Sequence, residues 1–120
     1  MFENNSPIKV YQKLIDDFVE MTNSNRYDGI VNQKSYSHAK GDEKYNEFLS
    51  ELNESQRKIL VNIIDRERES VVHDILAELT WWIDCEELTI CHRGIDLPKY
   101  FEGGLHYDYI GRINGWKWPE

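Results

Sequence analysis

Apolar residues recur at helical spacing through the middle of the chain and continue across its most charged stretch. Leu60, Ile64, Val71, Ile75 and Leu79 hold one phase, with Arg68 in register between them. Positions three and four apart share a face of an α-helix, so this stripe commits the middle of the chain to helix with a buried side. Asp65-Arg66-Glu67-Arg68-Glu69-Ser70 crosses the stripe with alternating charge. It is either a solvated segment of one long helix or a joint between two. Helices beyond about twenty-five residues are unusual in globular domains, so two helices meeting near Arg68 are expected.

The flanking elements follow from local signals. Ser6-Pro7 supplies a hydroxyl cap and a proline at the first helical position. Tyr11, Leu14, Ile15 and Phe18 then recur at helical spacing, which predicts a first helix over 7–22. Residues 23–41 are polar, interrupted only by Ile30 and Val31, and read as a long mobile loop with at most a short turn of helix. Asp42 can cap a short helix carrying Tyr45, Phe48, Leu49 and Leu52. Asn53-Glu54-Ser55-Gln56 reads as a capping box that starts the next one. Ile59, Leu60, Ile63 and Ile64, and then Val72 to Leu79, are the expected core faces of the central region. Beyond Asp84 the pattern turns to strand. Leu88 to His92, the turn residues Arg93-Gly94, and Ile95-Asp96-Leu97 predict a β-hairpin that Pro98 ends. A two-stranded hairpin is marginal alone in water, so it must lie on the helices. The tail is expected to be helical over about 104–114, with Gly115 as its stop and Trp116 and Trp118 folded back on the core. The expected fold is mainly α: four to five helices in a compact bundle, with a small β-hairpin before the C-terminal helix. Residues 1–120 are read as a single helical domain.

Charge excludes some partners. The net charge is -8, from 22 acidic against 14 basic residues, with no basic run. Phosphate backbones and anionic lipid surfaces are bound by clustered Lys and Arg, so no nucleic acid and no membrane is expected. Met1-Phe2-Glu3-Asn4-Asn5-Ser6 lacks the basic start and apolar stretch of a secretion signal. The expectation is a cytoplasmic protein whose Cys85 and Cys91 are reduced.

Four constellations could carry chemistry. Cys85, Cys91, His92 and His106 are ligand types that zinc accepts, but only Cys91-His92 are close, and strand neighbours point to opposite faces. No metal and no cofactor is therefore expected. His73-Asp74 is a metal-binding pair only where further His and Asp ligands stand on other helices, and His38 lies in the polar loop. His106, Asp108 and Arg112, joined by His73, could supply a base, an orienter and an anion clamp. Helical spacing would let Asp108 and Arg112 pair. No activated serine or cysteine and no glycine-rich phosphate loop accompanies them, so no catalytic residue is assigned. The four remain candidate ligand-binding residues. Finally, no Lys or Arg occurs from Glu69 to His92, while Glu69, Asp74, Glu78, Asp84, Glu86 and Glu87 supply six acids around Trp81-Trp82. Trp anchors interfaces. Trp81, Trp82, Glu78 and Asp84 thus mark a surface for a basic partner or a second copy of the chain.

His73-Asp74-Ile75-Leu76-Ala77, Arg93-Gly94-Ile95-Asp96-Leu97-Pro98 and the ending His106-Tyr107-Asp108 with Arg112 and Gly115-Trp116-Lys117-Trp118-Pro119 are similar to a group of small uncharacterised bacterial proteins, a domain of unknown function. The resemblance implies a bacterial, cytosolic, single-domain protein and assigns no activity or residue role. The residues point away from an enzyme and towards a protein-interaction module, a homo-oligomer or an acidic binder of a basic protein. The alternative is a small enzyme or ligand binder built on the C-terminal His/Asp/Arg cluster.

Overall fold

The computed structural model describes residues 6–22 and 28–119. Among these are five α-helices, α1 (Pro7–Thr22), α2 (Asp28–Gln33), α3 (Glu43–Glu51), α4 (Glu54–Glu86) and α5 (Leu105–Ile113). Strands β1 (Cys91–His92) and β2 (Ile95–Asp96) form an antiparallel hairpin before α5, with Cys91 opposite Asp96 and His92 opposite Ile95. The mainly helical expectation with a small hairpin is met.

Two compact units make up the chain. One comprises Met1–Thr22 and Glu69–Glu120, the other Asn23–Arg68. Residues 54–68 of α4 belong to the second and residues 69–86 to the first. The expected joint near Arg68 is absent: α4 is one helix of 33 residues. Its sequence explains this, because Glu54 to Glu86 contains no glycine and no proline. Mixed charge alone does not break a helix, since charged side chains are good helix formers that stay in water.

In the first unit, α1 opens as expected. The Ser6 hydroxyl oxygen accepts the Lys9 amide at 3.4 Å and the Ser6 carbonyl accepts the Val10 amide at 3.1 Å. Tyr11, Ile15, Leu76, Leu105 and Tyr109 form the buried cluster, drawn from α1, α4 and α5. Val72, Leu79, Ile83, Ile90, Leu97 and Ile113 pack around it. Each fully buried side chain of this size contributes about 1.5–3 kcal/mol relative to exposure. Two polar contacts fix the docking of α5. The Thr80 hydroxyl donates to the Leu76 carbonyl and accepts the Leu105 amide, both at 2.9 Å, so α4 supplies the cap that Gly104 lacks. The hydroxyls of Thr22 and Tyr109 lie 2.8 Å apart and bond α1 to α5.

The hairpin turns at Arg93 (φ 51) and Gly94 (φ 79), both left-handed. Two such residues make the turn type whose twist matches paired strands. Leu97 extends the pairing by donating to the Ile90 carbonyl at 2.8 Å. Helix α5 ends as predicted. Gly115 sits at φ 91, its amide bonds the Arg112 carbonyl at 3.2 Å, and the Trp116 amide bonds the Gly111 carbonyl at 2.8 Å. These two bonds satisfy carbonyls that a helix end would leave open. Trp116 then lies on Gly111, where an added Cβ would meet its ring at 3.3 Å.

In the second unit, the capping box is present. The Asn53 amide bonds the Gln56 side-chain oxygen at 2.9 Å and the Gln56 amide bonds the Asn53 side-chain oxygen at 2.8 Å. Asp42 precedes α3 without a side-chain cap bond. Part of the expected 23–41 loop is helical, as α2; residues 23–27 lie outside the described part. Ile30 and Leu49 are buried, and Arg57 is buried with them. The Arg57 guanidinium donates to the Val31 carbonyl at 3.0 Å and to the Leu52 carbonyl, closing carbonyls at the ends of α2 and α3. Ile59 and Ile63, expected in the core, are 57% and 55% exposed, so Leu60 and Ile64 carry that face instead.

Candidate functional site

His106 stands in the second position of α5 because Gly104 leaves room for it. A Cβ at Gly104 would lie 2.5 Å from the imidazole. His73 of α4 meets it edge to face, with ring centroids 5.1 Å apart. Burial, and then the neighbouring His73, lowers the His106 pKa from its ordinary value. The Nδ1 atom of His106 is buried without a hydrogen-bond partner among the described residues. His73 Nδ1 lies 3.2 Å from Asp74 Oδ1.

Asp108 and Arg112 do not join this pair, and they do not pair with each other. Asp108 is fully buried. Its carboxylate accepts the Tyr11 hydroxyl at 2.5 Å and the amides of Phe101 and Glu102, both at 2.9 Å. Burial, then the bond to Asp108, raises the Tyr11 pKa well above the ordinary phenol range. Arg112 instead makes a fork to Asp16 of α1, at 2.7 and 3.2 Å, and donates to the Trp116 carbonyl at 2.8 Å. Asp16 also accepts the Trp118 indole at 3.0 Å, and the Trp118 ring lies 5.1 Å from the guanidinium carbon. The i, i+4 spacing would allow a local pair, but Asp108 is taken by Tyr11 and Arg112 by Asp16, both on α1. Of the four candidate ligand-binding residues, only His73 and His106 come together. Asp108 and Arg112 are consumed in tying α5 and the tail to α1.

The cysteines are separate from these groups. Cys85 and Cys91 are exposed and free, and the Cys91 thiol donates to Asp96 at 2.8 Å, which raises its pKa. Among the described residues, no three His, Cys, Asp or Glu side chains are placed to hold a metal ion.

The C-terminal half of α4 presents a different surface. At about 100° per residue, Val71, Asp74, Ile75, Glu78, Trp81, Trp82 and Cys85 fall within an arc of about 120°. All are exposed. Val71 and Ile75 are 54% and 55% exposed, and Trp81 and Trp82 47% and 46%. The two indoles stand at right angles, 5.4 Å between centroids. Val72, Leu76, Leu79 and Ile83, on the opposite side, form part of the core. This half of α4 is thus apolar on both faces. Glu78 lies within the outer face. Asp84 turns away from it, where it accepts the Tyr100 hydroxyl and lies 3.9 Å from Lys99. Burial, then the bond to Asp84, pushes the Tyr100 pKa up to about 12. The 100° spacing already places Asp84 outside this arc, about 140° from Val71, and its partners Tyr100 and Lys99 belong to the segment before α5.

Among the described residues no helix is long and apolar enough to cross a membrane. Neither curated proteins nor solved structures yield a match to the chain. Compared with known families, residues 4–120 match a family of unknown function (DUF6547), so the chain belongs to that family.

Proposed function

We propose that the protein is a non-catalytic interaction module of the bacterial cytoplasm, and that the outer face of α4 receives a basic protein partner. One observation carries this reading: Val71, Ile75, Trp81 and Trp82 are half exposed on one helical arc whose charged members are all acidic. A helix that is apolar on both sides is normally covered on both. Interfaces are anchored by desolvated aromatics within a polar rim, and Trp is the residue most enriched among such anchors. The rim sets the sign of the partner. Asp74, Glu78 and Glu86 surround the apolar residues, and no Lys or Arg occurs between Glu69 and His92. Two copies meeting through this face would set these carboxylates against each other, which disfavours a symmetric dimer. The enclosure of Asp108 and Arg112 within structural networks also leaves the His/Asp/Arg cluster without its orienter and its clamp.

Titration with a designed amphipathic helical peptide tests the reading. The peptide carries Lys around a Leu stripe, and its control carries Glu in place of Lys. The basic peptide should bind, shift the tryptophan emission to the blue and weaken as salt rises. Trp82→Ala and Ile75→Asp should each remove the effect while α-helical circular dichroism is retained. Equal binding of the acidic control, or full binding by Trp82→Ala, would overturn the proposal. So would a dimer in sedimentation that Ile75→Asp converts to monomer, since that face would then belong to a second copy.

A further inference from the structure

A cleft of about 340 Å³ opens in the first unit between the end of α4 and the two segments flanking the hairpin. We infer that it binds a small organic cation: an amine or guanidine carried on an apolar body of about the size of a phenethyl group. The apolar part of the wall comes from Leu88, Ile90, Leu97, Pro98 and the rings of Tyr11 and Tyr100. The volume falls at the lower end of the range that small-ligand pockets occupy, which suits a body of one ring or a short branched chain. Leu88 is 38% exposed on this wall, so a ligand there would cover apolar surface that water now touches.

The sign of the ligand follows from the charged groups in the same wall. These are Glu87, Asp96 and Lys99. Lys99 is balanced by Asp84 at 3.9 Å, and the Tyr100 hydroxyl is turned to the same carboxylate. Asp96 receives only a thiol, from Cys91 at 2.8 Å, which is a weak donor. The wall thus holds two acidic residues against one lysine, and that lysine lies beside a third carboxylate, Asp84, so the acidic charge is in excess. Glu87 carries a second mark. It holds φ 60, the left-handed position that ends α4, where glycine is the usual residue and a side chain adds strain. A carboxylate is therefore placed at the cleft where the backbone would favour a residue without one. An anionic ligand would meet two like charges, whereas an ammonium would meet complementary ones.

Three isosteric probes distinguish the contributions: phenethylamine, 2-phenylethanol and phenylacetate, each added at millimolar concentration to the isotope-labelled full chain. Phenethylamine should shift amide resonances of residues 87–90, 96, 97, 99 and 100, and the alcohol and the carboxylate should bind more weakly in that order. Glu87→Gln and Asp96→Asn should each weaken the amine by about two- to fivefold, the range that exposed ion pairs support. Neither should change binding of the alcohol, which reports that the fold and the apolar wall are intact. Equal shifts from all three probes, shifts confined to other residues, or no shift from the amine would overturn the inference. So would a lysine-rich peptide that displaces phenethylamine from these residues and binds more tightly, because the occupant would then be a protein segment.

Discussion

Asp108 shows how one side chain can determine three connections. Its two oxygens receive a phenol and two backbone amides, and burial removes water as a substitute partner. Asp108→Asn keeps the shape but turns an amide donor towards one of those donors. It should cost about 1–3 kcal/mol in urea unfolding, the penalty of an unsatisfied buried group. Tyr11→Phe should cost less, about 1 kcal/mol, because it removes a donor instead of opposing one. His106 imposes a pH dependence of definite sign. Burial and the nearby His73 hold its pKa below the ordinary histidine value in the folded chain. The unfolded chain takes up the proton first, at about pH 6.5, so the unfolded state binds more protons between the two values. The stability attached to neutral His106 is complete above about pH 6.5 and is lost as pH falls through the lower folded value. In denaturation curves across this interval, His106→Gln should flatten the decline; an unchanged slope would assign it to other groups.

At the scale of the element, helix α4 makes the sharpest prediction. Ser70 lies in its interior on an exposed surface. Ser70→Ala should stabilise the chain by about 0.5 kcal/mol, and Ser70→Pro should destabilise it by about 3 kcal/mol or more with loss of helicity, as positions inside one helix require. A flexible joint would tolerate both. Helix ends were legible in the sequence wherever a local signal sets them. Ser6-Pro7, Asn53 with Gln56, Arg93-Gly94 and Gly115 all stand where their turn or cap chemistry places them. Two features were not legible. Continuity through Asp65–Ser70 was set against a general length preference, although no residue there interrupts a helix. The inward face of α4 was ambiguous because Val71-Val72, Ile75-Leu76 and Trp82-Ile83 offer apolar residues in both directions. The candidate site was obscured for a related reason. Spacing reports neighbours along a helix, whereas the side-chain partners of Asp108 and Arg112 on α1 lie 97 and 96 residues away.

At the scale of the whole molecule, the two units differ in how they are held. The first carries the cluster of Tyr11, Ile15, Leu76, Leu105 and Tyr109, with buried hydrogen bonds among its helices. In the second, Ile30 and Leu49 are the buried apolar residues among those described, accompanied by Arg57, while Tyr45 and Phe48 are 45% and 53% exposed. Regions with few buried apolar contacts open at lower free energy. Native-state hydrogen exchange should therefore release the amides of α2 and α3 before those of α1 and α5. Uniform protection across both groups would instead mean that the chain opens as one cooperative body.

The ties between α1 and the tail also set an order of events during synthesis. Asp16 waits for Arg112 and Trp118, and Tyr11 for Asp108, across separations of 96, 102 and 97 residues. Synthesis must have passed Asp108, Arg112 and Trp118 before those bonds can form. The contiguous Asn23–Arg68 segment has its internal partners much earlier. Contacts of high sequence separation close slowly, because the intervening loop must first give up its freedom. Until then the apolar face of α1 has no partner from α5, and the newborn chain is at its most exposed to chaperones and to aggregation.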